Sequence, residues 1–288
     1  MRRALWAHWP EYLAEALGLG LFMLSACLFG SLIFHPASAL VRAVPDAIIR
    51  RLLMGLAMGA TAAALIYSPL GRRSGAHLNP ATTLTFWRLG KVAGPDAAWY
   101  ALAQTLGGLA GICVSATLLG RTLADPSVNY VATVPGPRGV AAAFIAEVVI
   151  AGVLMSVVLT GSNSPRLATA TGIIAGALVA AYITLESPVS GTSMNPARSL
   201  ASAVPSGSWE PLWIYFVAPP LGMIAAAELY VWRHGLSRVF CAKLYHHDAS
   251  ACIFHCRFHE MQRRSPLPHR PPRSRDPRRR RPHHARSL

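Results

Sequence analysis

The sequence predicts an all-α membrane protein: six transmembrane helices plus two re-entrant half-helices in an inverted three-plus-three repeat. Three observations predict it. The chain holds six apolar runs of spanning length. Only 14% of its residues are charged, against the quarter or so usual in soluble domains. The pattern Ser-Gly-x-x-x-Asn-Pro-Ala occurs twice, 116 residues apart, once in each half of the chain.

The runs cover residues 12–34, 47–67, 97–119, 140–160, 167–185 and 212–232. A helix needs about 20 apolar residues to cross the hydrocarbon core. Lipid offers no partner to a backbone N–H or C=O, so each run must be helical. Six such runs in 288 residues argue against a soluble helical core. Arg50 and Arg51 near the start of the second run are expected to snorkel to the interface. Charge collects at the end. From Arg233 onward there are 14 Lys/Arg and 3 Asp/Glu, a net of +11 out of the chain's +15. An even number of spans puts both termini on one side. Basic residues in the short segments, with the tail, assign that side to the cytoplasm of an inner cell membrane. No cleavable signal peptide is expected.

The two halves repeat. "LAEALGLGLFMLSA" from Leu13 parallels "IAEVVIAGVLMSVV" from Ile145, with Glu15 and Glu147 in matching places. Each begins a set of three spans. Three is odd, so the second set enters from the opposite side and the two Asn-Pro-Ala loops lie on opposite faces. Short apolar stretches follow each motif, after Pro80 and after Pro196. Asparagine is favoured just before a helix and proline in its first turn. Asn79–Pro80–Ala81 and Asn195–Pro196–Ala197 therefore each start a half-helix. Irregular backbone at membrane depth must be buried in protein or beside a water path, which points to a pore.

These residues resemble the aquaporin, or major intrinsic protein, family over roughly residues 10–232. Both motifs carry the resemblance, with Glu15, Glu147 and Gln104 in the third span. It implies a passive channel for water or small neutral solutes that excludes protons and ions, built as a homotetramer. It implies a hydrogen-bonding centre where each amide of Asn79 and Asn195 donates to the passing molecule. It also implies a constriction of Met58, Ile183, Thr192 and Arg198, with Gly59 as the alternative to Met58. Glu15 and Glu147 would support the inward-folded loops. No His stands at position 183, and Met58 and Ile183 are apolar, which suggests a wider, less polar filter. Glycerol, urea, ammonia, peroxide or small undissociated acids then join water as candidate solutes. Ser199 and the pair Tyr215–Phe216 resemble the water-selective type instead, so the solute stays open. A coupled transporter would need Glu15 or Glu147 to change charge. The intact Asn79, Asn195 and Arg198 argue against a non-conducting sensor. No nucleophile–base pair or phosphate loop suggests an enzyme. Cys27 and Cys113 read as buried small apolar residues.

The chain divides into a channel domain over 1–232 (repeats at about 10–120 and 140–232), a Cys/His-rich juxtamembrane segment over 233–262, and a Pro/Arg-rich tail over 263–288. The tail lacks the apolar content to fold and should meet anionic lipid. Nucleic acid is not expected, because no stacking aromatics interleave its arginines. The channel needs no cofactor. The middle segment holds Cys241, His246, His247, Cys252, His255, Cys256 and His259, ligand types that suit zinc and related metals. The four-residue spacings Cys252–Cys256 and His255–His259 would share a face if helical. Metal binding there would offer a route to regulation; acylation of a cysteine is the competing reading.

Overall fold

The computed structural model describes residues 1–246 and 252–263, and its regular elements are all helical. The principal helices are α1 (Arg2–Phe34), α2 (Ala47–Tyr67), α3 (Pro80–Arg88), α4 (Gly94–Leu119), α5 (Gly139–Ser162), α6 (Thr171–Leu185), α7 (Pro196–Ser206), α8 (Leu212–His234) and α9 (Phe258–Arg263). Short helical turns join them.

Among the described residues, α1, α2, α4, α5 and α8 are long and apolar enough to cross a membrane. The fifth apolar run is the exception. It yields α6, an apolar helix of only 15 residues. Its expected first turn is taken by the loop: Leu167 and Ala168 donate to Ser164 O, and Ala170 to Leu167 O. A Ser-Pro pair favours such a turn over helix. α1 runs longer than expected and breaks helical geometry at His8 (φ −125°, ψ 16°), two residues before Pro10, where the proline ring disturbs the preceding turn. Asp46 caps α2 by accepting from the N–H groups of Ile49 and Ile48, and these bonds hold its carboxyl below its ordinary range.

The outside of the bundle carries many large apolar side chains. Leu17, Leu21, Ile145, Val149, Leu221 and Leu229 are all exposed. Such a surface suits lipid rather than water.

Inside, the helices pair closely through small residues. α1 meets α4 at Gly20, Gly107 and Gly111, and α5 meets α8 at Gly152 and Gly222. These two pairs are the same contact in the two repeats. The halves join where α2 meets α6. A side chain on Gly59 would collide with the carbonyl of Gly176, and one on Gly176 with that of Gly59. Gly59 thus faces a helix, while Met58 faces inward and is buried.

Replacing Gly176 with Leu should separate α2 from α6, because backbone cannot yield as a flexible side chain does. Overpacking of this kind costs about 1–3 kcal/mol. Thermal unfolding of the detergent-solubilised protein should show a clearly lowered midpoint for Gly176→Leu. An unchanged midpoint would contradict the close α2–α6 contact.

Candidate functional site

The site is built from two loops that enter the bundle from opposite ends and share one backbone plan. Gly75 and Gly191 adopt positive φ (94° and 82°), as do Ala76 and Thr192 (57° and 54°) and Leu78 and Met194 (49° and 53°). Each non-glycine residue in this region carries strain of about 1–2 kcal/mol. The loops are held there by their surroundings.

Two buried carboxylates do most of the holding. Glu15 accepts from Ser74 Oγ (2.6 Å), His77 N (3.0 Å), Leu78 N (2.6 Å) and Gln104 Nε2 (2.7 Å). Glu147 accepts from Ser190 Oγ (2.7 Å), Ser193 N (2.7 Å) and Met194 N (2.7 Å). A further matched pair is harder to find in sequence. Tyr100 Oη donates to Ser74 O at 2.7 Å and Tyr215 Oη to Ser190 O at 2.6 Å. Tyr215 is therefore a loop support. It does not line the cavity, and its neighbour Phe216 is exposed on the outer surface.

The loops meet through their asparagines. Each Oδ1 caps its own half-helix, accepting from Ala81 N (2.8 Å) at Asn79 and from Ala197 N (3.1 Å) and Arg198 N (3.2 Å) at Asn195. Each Nδ2 donates across to the other loop: Asn79 to Met194 O and Asn195 to Leu78 O, both at 2.7 Å. The amide is thus divided rather than given wholly to a passing molecule. An amide carries two N–H donors, so one remains for the cavity.

A cavity of about 660 Å³ passes this junction, lined by Asn79, Asn195, Met58, Ile183, Thr192 and Arg198 among others. Ile183 packs with Met58 on one apolar wall. Arg198 supplies the polar wall; its Nη1 is buried and has no protein partner. Thr192 donates to Glu186 Oε2 at 2.6 Å, so its hydroxyl is an acceptor toward the cavity. Glu186 carries no motif and escapes a reading of the sequence. Arg50 and Arg51 differ from expectation. They line the cavity, Arg50 donating to the loop carbonyl of Val44 (3.1 Å) and Arg51 to the α6 carbonyl of Thr184 (3.1 Å). Cys113 also differs: it is exposed on the outer face of α4, whereas Cys27 is buried.

The segment after α8 folds back onto the bundle. Residues 239–245 are buried, and Leu244 lines the cavity beside the first loop. Four of the seven suggested metal ligands come together. One ligand atom from each of Cys241, His246, Cys252 and Cys256 lies within 4.8 Å of the others. His255 instead places its Nδ1 2.8 Å from Gly90 O, and exposed His259 stands outside the group. His247 and the tail from residue 264 lie outside the described residues. Cys252, His255 and Cys256 are not on a helix, so the four-residue spacings do not place their pairs on one helical face. Helix α9 starts only at Phe258; the chain before it instead turns around the cysteines, and Phe258 N donates to Cys256 Sγ at 3.4 Å.

Glu147→Ala should leave two buried N–H groups without a partner, each costing about 1–3 kcal/mol. Glu147→Gln retains one acceptor oxygen and should cost less. Unfolding midpoints of the two variants in detergent check the order. Equal, near-wild-type midpoints would contradict the carboxylate's hold on the loop.

Comparison with known proteins agrees with this geometry. The family model for the major intrinsic protein matches residues 3–230. The probable aquaporin NIP7-1 of Arabidopsis thaliana is 34% identical over 174 residues, 60% of this chain and 61% of the relative. Aquaporin NIP3-1 of Oryza sativa is 38% identical over 162 residues, 56% of this chain and 50% of the relative. The chain therefore spans between half and two thirds of the length of these two plant relatives. Aquaporin Z of Photorhabdus laumondii is 31% identical over 232 residues, covering 75% of this chain and 94% of the relative. Among solved structures, the aquaglyceroporin of Plasmodium falciparum shares the fold, with a TM-score of 0.63 at 22% identity over 77% of this chain and 95% of that one. A family match over nearly all of the bundle, on a fold with two asparagine-capped half-helices meeting at one cavity, leads to one conclusion: the chain belongs to the major intrinsic protein family and is an integral membrane protein.

Proposed function

We propose that this protein is a passive channel for water and small neutral solutes, closed to protons and ions. One observation carries the reading: Asn79, Asn195 and Arg198 present donors to a single cavity whose remaining wall is largely apolar. A solute that sheds water there regains hydrogen bonds only at a few fixed points, chief among them these donors, with the Thr192 hydroxyl as an acceptor. The half-helix N-termini add partial positive charge at the same place, and Arg198 adds a full one. Cations meet a repulsive field, and a proton wire is broken where both asparagines donate to the same oxygen.

Met58, Ile183, Thr192 and Arg198 form the selectivity filter in this reading. The ring has no aromatic and no histidine, so it favours solutes of the size of glycerol or urea alongside water. Glu15 and Glu147 have their oxygens occupied by loop donors, which supports anchoring over ion coupling. The reading includes a homotetramer in the inner cell membrane, both termini in the cytoplasm, with the basic tail against anionic lipid.

Stopped-flow light scattering on proteoliposomes tests the function, with a metal chelator present because thiols gather at one mouth. An osmotic step with an impermeant solute should shrink loaded vesicles several-fold faster than empty ones. Glycerol should then re-swell them, and Arg198→Ala should admit glycerol faster still. Shrinkage no faster than that of empty vesicles overturns the channel reading; fast water flux with glycerol excluded overturns the wide filter.

A further inference from the structure

The Cys/His segment is the part of this molecule that a passive pore does not use. We propose that Cys241, His246, Cys252 and Cys256 form a binding site for one zinc-class ion, and that this ion pins residues 239–246 and 252–258 as a plug over the cavity mouth beside the first loop. The plug rests on the channel reading above; the metal site does not.

The ligand set comes first. Three thiolates and one imidazole are a common complement of structural zinc. At about 2.3 Å from zinc to sulfur and about 2.0–2.1 Å to nitrogen, a tetrahedron has edges of roughly 3.8 Å between sulfurs and roughly 3.6 Å from sulfur to nitrogen. Cys241 Sγ and Cys252 Sγ are 3.6 Å apart, and Cys256 Sγ and His246 Nε2 are 3.4 Å apart. Both separations lie close to those edges.

The surroundings suit a metal as well. The backbone N–H of Phe258, two residues after Cys256, donates to its Sγ at 3.4 Å. The His246 ring is fixed by stacking on Phe258, with centroids 4.0 Å apart at 10°. Lys91, only 6% exposed, is tied to the segment through its carbonyl, which accepts from His255 N at 3.0 Å.

The placement makes the site more than a surface trap. The segment has little regular structure, yet it is fastened to the cavity mouth at several points. His77 Nε2 donates to Ala242 O at 2.8 Å, Leu244 N to Gly75 O at 3.0 Å, and Lys243 Nζ to Arg72 O at 2.7 Å. The His77 ring is stacked between Phe86 and Phe254, at 5.2 and 5.3 Å. His77 belongs to the first Asn-Pro-Ala loop itself. Leu244 fills cavity wall at that end. A chain with so little secondary structure usually needs a staple to hold one conformation, and metal binding energy acts as folding energy. Losing the ion should free the segment and clear the mouth.

Full-length protein, purified from zinc-supplied cells without chelator, tests both halves. Elemental analysis should find about one zinc per chain, the stoichiometry of a closed four-ligand site. The double variant Cys252→Ser/Cys256→Ser should lose most of it. Cobalt substituted for zinc should give the visible bands of a tetrahedral thiolate site, a readout independent of flux. Stripping zinc from wild type with a chelator should raise water permeability of proteoliposomes several-fold, and restoring zinc should lower it again; the double variant should be open and insensitive to zinc. Absence of metal, unchanged metal in the double variant, or a Cys241–Cys252 disulfide in protein purified without reductant each overturns the site. Permeability that ignores zinc removal overturns the plug.

Discussion

The structure depends on two carboxylates buried where a membrane protein can least easily carry them. A chain that leaves its helix inside a bilayer exposes N–H groups that lipid cannot satisfy. Glu15 and Glu147 answer that need, each taking two backbone N–H groups and a serine hydroxyl from the loop beside it. Without them the strained residues at 76, 78, 192 and 194 would have little reason to keep positive φ. Tyr100 and Tyr215 complete the arrangement by donating to Ser74 O and Ser190 O.

Once both loops are fixed, the asparagines can face each other. Each one caps its own half-helix and reaches the opposite loop's carbonyl, so the two ends of the bundle are tied at their meeting point. The chemistry at the cavity's centre follows from this. The Oδ1 acceptors of the two asparagines are already bound, while one N–H of each amide and the unpaired Nη1 of Arg198 remain. A single structural solution thus ties the two loops together and leaves donors facing the cavity.

Much of this was legible in the sequence because it is local. Asparagine before proline caps a helix whatever surrounds it, and a glutamate in an apolar run announces a buried partner. Repetition made both signals stronger. Features that depend on tertiary placement were not legible. Arg50 and Arg51 turn toward the cavity because the carbonyls of Val44 and Thr184 happen to lie there. Tyr215 resembles half of an aromatic pair in the sequence, yet its hydroxyl serves a loop carbonyl. Gly59 and Met58 are adjacent in the chain, and only the approach of Gly176 decides which one faces inward. The four gathered ligands of the terminal segment span residues 241 to 256 at irregular intervals, so no spacing rule could select them from seven candidates.

The central claim is that small molecules cross through the cavity at the asparagine junction. The most direct test places a thiol in that path. Ile183→Cys, reconstituted with chelator present, should conduct water and then lose most of that flux when a bulky methanethiosulfonate reagent labels position 183. The test is made with Cys241, Cys252 and Cys256 replaced by Ser, and that background without the Ile183 change should keep its flux under the same treatment, since Cys27 is buried and Cys113 faces outward. If mass analysis confirms labelling at position 183 and the flux is undiminished, the conducting path lies elsewhere and the account is wrong.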